Sequence, residues 1–261
     1  MPVAPPSNDG GAGRPAGKER VNSRGDATRQ LLLVTAEQLF AERGIAAVPL
    51  RDIGIAAGQK NHAVVQYHFG DRESLVSEII ALRAQASEER RVEMFADLMV
   101  RGQPQISDLV RVFMLPLASH LTEDNHYLAF MSRYILENGG YSHLGGTADP
   151  IIPSATASTI LSLLGRLLSD LSEEVLEERS MLMLTGTVHT LARYQAILAA
   201  GEELPLPLDI LLEDLVQFLT SGLEAPLGPA TASAQATLGS GKRRSQLKLP
   251  PKEESDEESA S

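Results

Sequence analysis

Residues 58–75 read GQKNHAVVQYHFGDRESL and form an unusually polar stretch for a helix that must pack onto a core. Val65 and Phe69 lie four positions apart between Gly58 and Gly70, which predicts a short helix with one apolar face. Most of the other positions hold ammonium, amide, imidazole or phenol groups where a buried helix would have aliphatic residues. The pattern therefore predicts a helix that packs through one face and presents polar groups on the other.

Two helices are expected before this one, over 27–43 and 49–57, each followed by a glycine. The first has apolar residues at helical spacing, namely Leu32, Ala36, Leu39 and Phe40. Pro49 suits the first position of the second, whereas Gly54 should weaken that helix by up to about 1 kcal/mol. Asp71 is expected to cap a fourth helix that runs from Arg72 to about Met99. Two short helices joined by a turn, the second one polar, have the outline of a helix-turn-helix.

The outward side chains of the third helix match the chemistry of DNA recognition. Asn61 and Gln66 each offer a donor and an acceptor side by side, as the major-groove edge of a base requires. His62, Tyr67 and His68 can donate to phosphates. The alternative is an ordinary solvated helical face.

Net charge on its own argues against a nucleic-acid partner, because the whole chain carries −11. The charge is uneven, however. Residues 18–72 hold eight Lys or Arg against six Asp or Glu, a net of +2, while residues 73–261 carry −13. One end of the chain can therefore approach a polyanion. Without cysteine or an N-terminal apolar run, we expect no disulfide and a cytoplasmic location.

The rest of the sequence predicts an all-α protein of two domains. We expect a disordered arm over 1–25 and a disordered tail over 226–261, because both are poor in large apolar residues. Between them lie a head over 26–72 and a larger helical domain over 73–225. In the latter, helical periodicity recurs over 105–122, 124–138, 156–173, 174–200 and 207–223, with a glycine-rich loop over 138–153.

Residues 28–75 resemble the DNA-binding domain of TetR-type (tetracycline-repressor-like) transcriptional regulators. The elements that carry the resemblance are Leu39-Phe40 before Glu42-Arg43-Gly44, Arg51-Asp52-Ile53 with Ala57-Gly58, and Tyr67-His68-Phe69-Gly70 with Arg72-Glu73 and Leu75. The sequence departs from the family where Val48-Pro49 replaces the usual Ser or Thr before helix two. The turn and the third helix are also one residue longer than is usual.

The resemblance implies a sequence-specific DNA-binding regulator, a homodimer that represses from a palindromic operator and is released by a small hydrophobic ligand. It implies a three-helix head followed by a ligand-binding and dimerisation domain. No cofactor and no metal are expected, since the sequence contains neither a nucleotide-binding motif nor a fixed metal-ligand spacing. The residues expected at DNA are Arg51, Lys60, Asn61, His62, Ala63, Gln66, Tyr67, His68 and Arg72.

Two further sets of residues follow from the family layout. Ligand contacts are expected from Met94, Phe95, Phe113, Leu117, His120, Tyr127, Phe130, Met131 and Tyr134. Dimer contacts are expected from Leu184, Val188, Leu191, Leu208, Leu211, Leu212, Leu215, Phe218 and Leu219. For both sets the alternative is the chain's own core, since apolar residues at helical spacing suit either role.

Other function classes have less support. A helical protein-interaction module or a ligand-independent DNA-binding regulator would use the same face of 58–75. An enzyme is not expected: GYSHL, residues 140–144, lacks the final glycine and the preceding strand of a nucleophile elbow. His120, Glu123 and His126 are predicted to straddle a helix end, which gives no fixed metal-binding geometry.

Overall fold

The computed structural model describes residues 16–61, 63–121, 125–137 and 155–238. In these ranges the chain is all-α and contains no strand, as the periodicity predicted. The helices are α1 Ala16–Arg43, α2 Leu50–Ala56, α3 Val64–Phe69, α4 Arg72–Arg101, α5 Ile106–Ala118, α6 Tyr127–Glu137, α7 Ala155–Leu167, α8 Glu173–Ala199, α9 Leu208–Glu224 and α10 Pro229–Leu238. A 3₁₀ turn, Ser119–Leu121, follows α5.

The three helices of the head close around a small apolar core, as expected. Leu32 and Phe40 of α1, Ile53 of α2 and Val65 of α3 are all buried there. Gly44 follows α1 with φ +91°, a backbone conformation that a residue with a Cβ rarely adopts. The glycine endings therefore fix where the short helices stop and turn.

Gly54 has a packing role that the sequence prediction missed. It is buried in α2, and a Cβ built on it would lie 3.1 Å from Cγ1 of Val64. The missing side chain lets the start of α3 lie close against α2. The conformational cost of a glycine in this helix is thus offset by close approach of the two helices.

The long helix α4 connects the head to the remainder of the chain. Its predicted cap is confirmed, since the Asp71 carboxylate accepts a hydrogen bond of 2.8 Å from the backbone N–H of Ser74. Leu75 and Ile79 in its first turns are buried in the same apolar cluster as Leu32 of the head. The head and the larger helical region therefore share one continuous core, and the boundary at residue 72 stays a prediction.

Both predicted disordered ends contain helix in the described residues. Helix α1 begins at Ala16 rather than at 27, because extending an existing helix costs less than nucleating one. Helix α10 lies within 226–261, where alanine content and Pro229 at the first position favour a helix. The Gln235 side chain fixes it, accepting from Ser172 N at 2.7 Å and donating to Asp170 O at 2.8 Å. Residues 1–15, 239–261 and the predicted loop at 138–153, with GYSHL, lie outside the described ranges.

The larger region packs α5 against α4, α7 and α9, while α6 lies between α1 and α8. Phe130 of α6 stacks on Phe40 of α1 with ring centroids 6.3 Å apart, which joins α6 directly to the head. None of the described helices combines the length and apolar content needed to cross a membrane. The fold thus places α6 in direct contact with the first helix of the head.

Candidate nucleic-acid interface

Helix α3 has one buried and one exposed face, as the sequence predicted. Val64, Val65 and Phe69 are buried, whereas Gln66 is exposed and 83% of Tyr67 is accessible. A helix of six residues cannot hold this orientation without anchors at its ends. Those anchors determine how rigidly the outer face is presented.

The start of α3 is fixed by Asn61. Its side-chain Oδ1 accepts from Ala63 N at 3.0 Å, and its backbone carbonyl accepts from Val64 N at 3.2 Å. This local turn is a common use of asparagine before a helix. Since Oδ1 already accepts this hydrogen bond, the Nδ2 donor is the part of the Asn61 amide that is suited to contact a base.

The end of α3 is fixed by aromatic packing. The Arg29 guanidinium lies 5.0 Å from the ring centroid of Phe69, and Arg29 also pairs with Glu78 of α4. Outside this anchor, Tyr67 and His68 meet edge to face at 5.1 Å. Exposed Tyr67 and half-buried His68 therefore present phenol and imidazole groups from a helix held on both sides.

Basic groups flank this face. Arg51 of α2 is exposed and donates to the adjacent Asp52 at 3.1 Å, and Lys60 in the turn before α3 is exposed. Arg72 was predicted to contact phosphate, but its side chain is engaged within the head. It is half-buried, donates to the carbonyl of Ile45 and lies 6.0 Å from the Phe40 ring centroid, so it also holds the head together.

Most of the predicted DNA-binding residues thus lie on one surface formed by α3 and the turn before it. The surface comprises Lys60, Asn61, Ala63, Gln66, Tyr67 and His68, all exposed except half-buried His68. The predicted contact at His62 lies outside the described residues. Beside this surface, the hydrogen bond from Ser74 N holds the pKa of the Asp71 carboxyl below its usual value.

Two carboxylates that support the head were not found from the sequence. Glu37 of α1 is buried, binds Arg83 of α4 through both oxygens at 2.6 and 3.1 Å, and accepts from His126 N at 2.8 Å. Glu137, the last residue of α6, accepts from the backbone N–H groups of residues 45 and 46 at 3.0 and 2.9 Å. These backbone contacts join positions about ninety residues apart, so no local pattern could reveal them.

Comparison with known proteins agrees with this geometry. Residues 32–79 match the family model described as bacterial regulatory proteins, tetR family. Over these residues the head is similar to the TetR family. The match includes α2, α3 and the first turns of α4, which are the elements that build the surface around Gln66 and Tyr67.

Curated relatives are similar to this TetR-type head over a limited length. The HTH-type transcriptional repressor Rv3405c of Mycobacterium tuberculosis and the HTH-type transcriptional regulator Mb3439c of Mycobacterium bovis are each 39% identical over 66 residues. That stretch is 25% of this chain and 31% of each relative. The chain thus spans about a third of the length of these relatives, which are named as transcriptional regulators.

Solved structures with a similar outline include a gamma-butyrolactone receptor described as ArpA-like, at 20% identity and a TM-score of 0.44. That alignment covers 76% of this chain and 99% of the receptor. Mycobacterium smegmatis AmtR is 14% identical with a TM-score of 0.43, over 83% of this chain and 96% of AmtR. Both TM-scores are below 0.5, so neither structure adds evidence to the fold that this chain's own helices show.

Behind the TetR-type head, the residues predicted to contact a ligand pack into the interior. Phe113, His120, Tyr127, Phe130 and Met131 are buried, and Met94, Phe95, Leu117 and Tyr134 are half-buried against the apolar core. Met94 also lines a cavity of about 140 Å³ beside Arg111. The assignment of these residues to a ligand stays a prediction.

Several polar groups are buried among these predicted ligand residues. His120 Nε2 lies 2.9 Å from Ser87 Oγ, and the His120 ring meets the Tyr127 ring edge to face at 4.8 Å. Burial raises the pKa of the Tyr127 phenol well above its usual value, so this tyrosine stays neutral. Gln195 donates to the carbonyl groups of His120 and Asn125 at 3.2 and 3.1 Å. Among the described residues, no group of three acidic, His or Cys side chains is arranged to hold a metal.

Most of the predicted dimer residues lie in the interior of the chain. Leu184, Val188, Leu191, Leu211, Leu215 and Leu219 are buried within the chain itself, and Leu208 and Leu212 are half-buried against its core. These residues therefore pack in the chain's own core, which is the alternative role, and their part in a dimer stays a prediction. Phe218 of α9, by contrast, is 73% exposed. Two other apolar side chains on these helices are also exposed, Ile210 of α9 at 51% and Leu182 of α8 at 65%. Of the exposed apolar positions on α8 and α9, Phe218 was predicted as a dimer contact, whereas Ile210 and Leu182 were not.

Proposed function

We propose that the chain is a sequence-specific DNA-binding transcriptional regulator that acts as a repressor. The observation that carries the proposal is the two-faced helix α3, with Val65 and Phe69 buried below and Gln66 and Tyr67 exposed above. A short helix anchored in this way can enter a major groove and place amide groups at base edges. The regulator names of the curated relatives support the same function.

In the proposed complex, α3 carries the contacts to bases and the flanking cations carry the contacts to phosphates. Gln66 and the Nδ2 group of Asn61 are suited to base edges, while Lys60, Arg51 and the Tyr67 hydroxyl are suited to phosphates. We include the contact by His62 as a prediction. Arg72 is proposed to bind phosphate only through the guanidinium N–H groups that do not donate to the carbonyl of Ile45.

The proposed operator is a palindrome read by a homodimer. One helix of this length reads few base pairs, so two heads related by a two-fold axis, about 34 Å apart, are needed for specificity. Phe218, Ile210 and Leu182 form exposed apolar positions on α8 and α9 that would be covered in such a dimer. The charge of −13 beyond residue 72 keeps the rest of the chain away from DNA.

We further propose that a small ligand in the region of residues 73–225 releases the DNA. A ligand that binds better to a form with displaced heads shifts the dimer toward that form, and a coupling of about 1 to 3 kcal/mol changes operator affinity roughly 5- to 150-fold. Titration of hydrophobic compounds into a DNA-binding assay tests this step. Unchanged affinity across a chemically broad set would favour a ligand-independent regulator.

Selection of bound duplexes from a random pool with the purified chain tests the proposed function. We expect a palindrome whose half-sites lie one helical turn apart, and an affinity that falls steeply with salt because counterions are released from phosphates. A protein-interaction module would show neither property. Failure to enrich any sequence, together with no binding to random duplex at low salt, would exclude DNA binding.

A further inference from the structure

We propose that Glu137 is a positioning residue for DNA binding, which holds the recognition elements of the head in place from the end of α6. The inference rests on the proposed function, since it concerns the same DNA-binding head. Glu137 does not lie on the α3 surface and is not expected to touch DNA. Its role follows from the contacts that its carboxylate makes with the turn between α1 and α2.

The Glu137 carboxylate binds this turn at two points. Oε1 accepts from Ile45 N at 3.0 Å, and Oε2 accepts from Ala46 N at 2.9 Å. Two consecutive backbone N–H groups directed at one carboxylate form a charge-assisted pair of hydrogen bonds with a defined geometry. The turn therefore cannot rotate or move away from α6 without losing both bonds.

Gly44 is matched to this arrangement. Its φ of +91° turns the chain at the end of α1, and a Cβ built on it would lie 2.5 Å from Glu137 Oε1. Any larger residue at position 44 would collide with the carboxylate in its present position. The close approach of Glu137 to the backbone thus depends on the residue that ends α1.

The same turn is held from its other side by the first residue of α4. Arg72 donates to the carbonyl of Ile45, whose N–H is bound by Glu137. The backbone of Ile45 is therefore bound by the Glu137 carboxylate from α6 and by the Arg72 guanidinium, which flanks the α3 surface. Three residues beyond Ala46, the chain reaches Pro49 and the start of α2. The position of this turn consequently affects both α2 and Arg72.

Helix α6 is also joined to the head at its other end. His126 N, just before the first residue of α6, donates to the buried carboxylate of Glu37 in α1 at 2.8 Å. The two links run in opposite directions, because α1 supplies the acceptor at one end of α6 and α6 supplies it at the other. Between the two ends, α6 carries Phe130 and Tyr134, which are among the predicted ligand residues.

Displacement of α6 would therefore change the head through Glu137. A movement of about 1 Å along the hydrogen bonds takes both N···O distances beyond the range of a good hydrogen bond. The turn then loses its support from α6 while Arg72 still holds Ile45. The hydrogen bonds of Glu137 to this turn therefore contribute to DNA affinity.

Charge substitution tests the inference through the sign of its effect. Glu137→Gln removes one negative charge near a DNA-binding surface, which by electrostatics alone would raise DNA affinity. We expect the opposite, a fall of roughly 3- to 10-fold, because the ionised acceptor of two backbone N–H groups is lost. The matched control is Glu42→Gln, which removes the same charge from an exposed α1 residue that bonds only to Gln38 in the described contacts. The control is expected to bind as tightly as the unchanged chain or slightly more tightly.

A second variant keeps the negative charge but is too short to contact both backbone N–H groups. Glu137→Asp shortens the side chain by one methylene, so DNA affinity is expected to fall although the net charge is unchanged. Amide hydrogen exchange supplies a measurement that does not depend on DNA. In both variants, exchange at Ile45, Ala46 and the α2 amides should become faster, with global melting temperature close to that of the unchanged chain.

The outcomes separate this inference from the proposed function. If Glu137→Gln and Glu42→Gln both bind DNA at least as tightly as the unchanged chain, Glu137 has no positioning role. If the unchanged chain itself binds no duplex, the proposed function fails together with the effect on DNA affinity, and exchange decides only whether Glu137 holds the turn and α2 in place. Unaltered exchange at residues 45, 46 and 50–56 would then overturn it.

Discussion

Replacement of Glu37 by glutamine tests whether the buried link between α1, α4 and α6 stabilises the fold. The Glu37 carboxylate is 1% exposed and binds Arg83 at 2.6 and 3.1 Å and His126 N at 2.8 Å. Glutamine has nearly the same shape but is neutral and keeps only one acceptor oxygen. Its amide nitrogen would face a donor that the carboxylate now accepts from.

The expected loss is about 2 to 3 kcal/mol in the free energy of unfolding. Hydrogen bonds to charged groups contribute about 1.5 to 3 kcal/mol, and breaking a fully buried ion pair costs about 3 to 5 kcal/mol. The Arg83 side chain is 19% exposed and can regain some hydration, which places the expected value below the fully buried case.

Urea unfolding followed by far-UV circular dichroism measures the loss. Glu42→Gln on the same helix is the control and should change the free energy of unfolding by less than about 0.5 kcal/mol. A double-mutant cycle with Arg83→Gln isolates the pair, and the two substitutions should couple by more than about 1 kcal/mol. If Glu37→Gln costs no more than the control, or if the two substitutions are additive, the link contributes little to the fold.

The remaining predictions concern exposed residues. Tyr67→Phe should weaken binding to all duplexes alike by about threefold to tenfold, whereas Gln66→Ala should relax preference at one base position by about 1 to 3 kcal/mol; affinities for single-base variants of the operator distinguish them. Phe218→Asp puts a charge on the exposed apolar face of α9 and should produce monomers in sedimentation; dimers that persist at the same concentration would exclude this face. Asp71→Ala should lower the melting temperature at neutral pH. Since the hydrogen bond from Ser74 N lowers the pKa of folded Asp71 below 3.8, this stabilisation is present above pH 3.8 and is lost as pH falls through the folded pKa. The melting temperatures of the two proteins should therefore converge in acid, and a constant difference would contradict the assignment.

The head could be predicted from sequence because its decisive signals are local. Val65 and Phe69 at helical spacing, with Gly58 and Gly70 outside them, specify a short helix and its buried face. The same information also gave the exposed set around Gln66 and Tyr67. These features depend on residues within a few positions of each other, where spacing and glycine placement are informative.

The dimer and ligand residues could not be assigned in the same way. The leucines of α8 and α9 have an apolar periodicity that suits a partner chain and the chain's own interior equally well. Only the fold shows that Leu215 is buried within the chain and that Phe218 is exposed. Glu37 and Glu137 were missed for a related reason, because the backbone groups they bind lie about ninety positions away.

A small tilt of the long helix α4 would move its first residue, Arg72, by a distance comparable to the spacing of nucleotides in DNA. It contains 30 residues, and a rise of 1.5 Å per residue makes it about 45 Å long. If its far end at Arg101 stayed fixed, a tilt of only about 5° would carry Arg72 sideways by about 4 Å. Successive nucleotides of one strand rise by about 3.4 Å along the DNA axis, so that tilt displaces the arginine by a distance comparable to this rise.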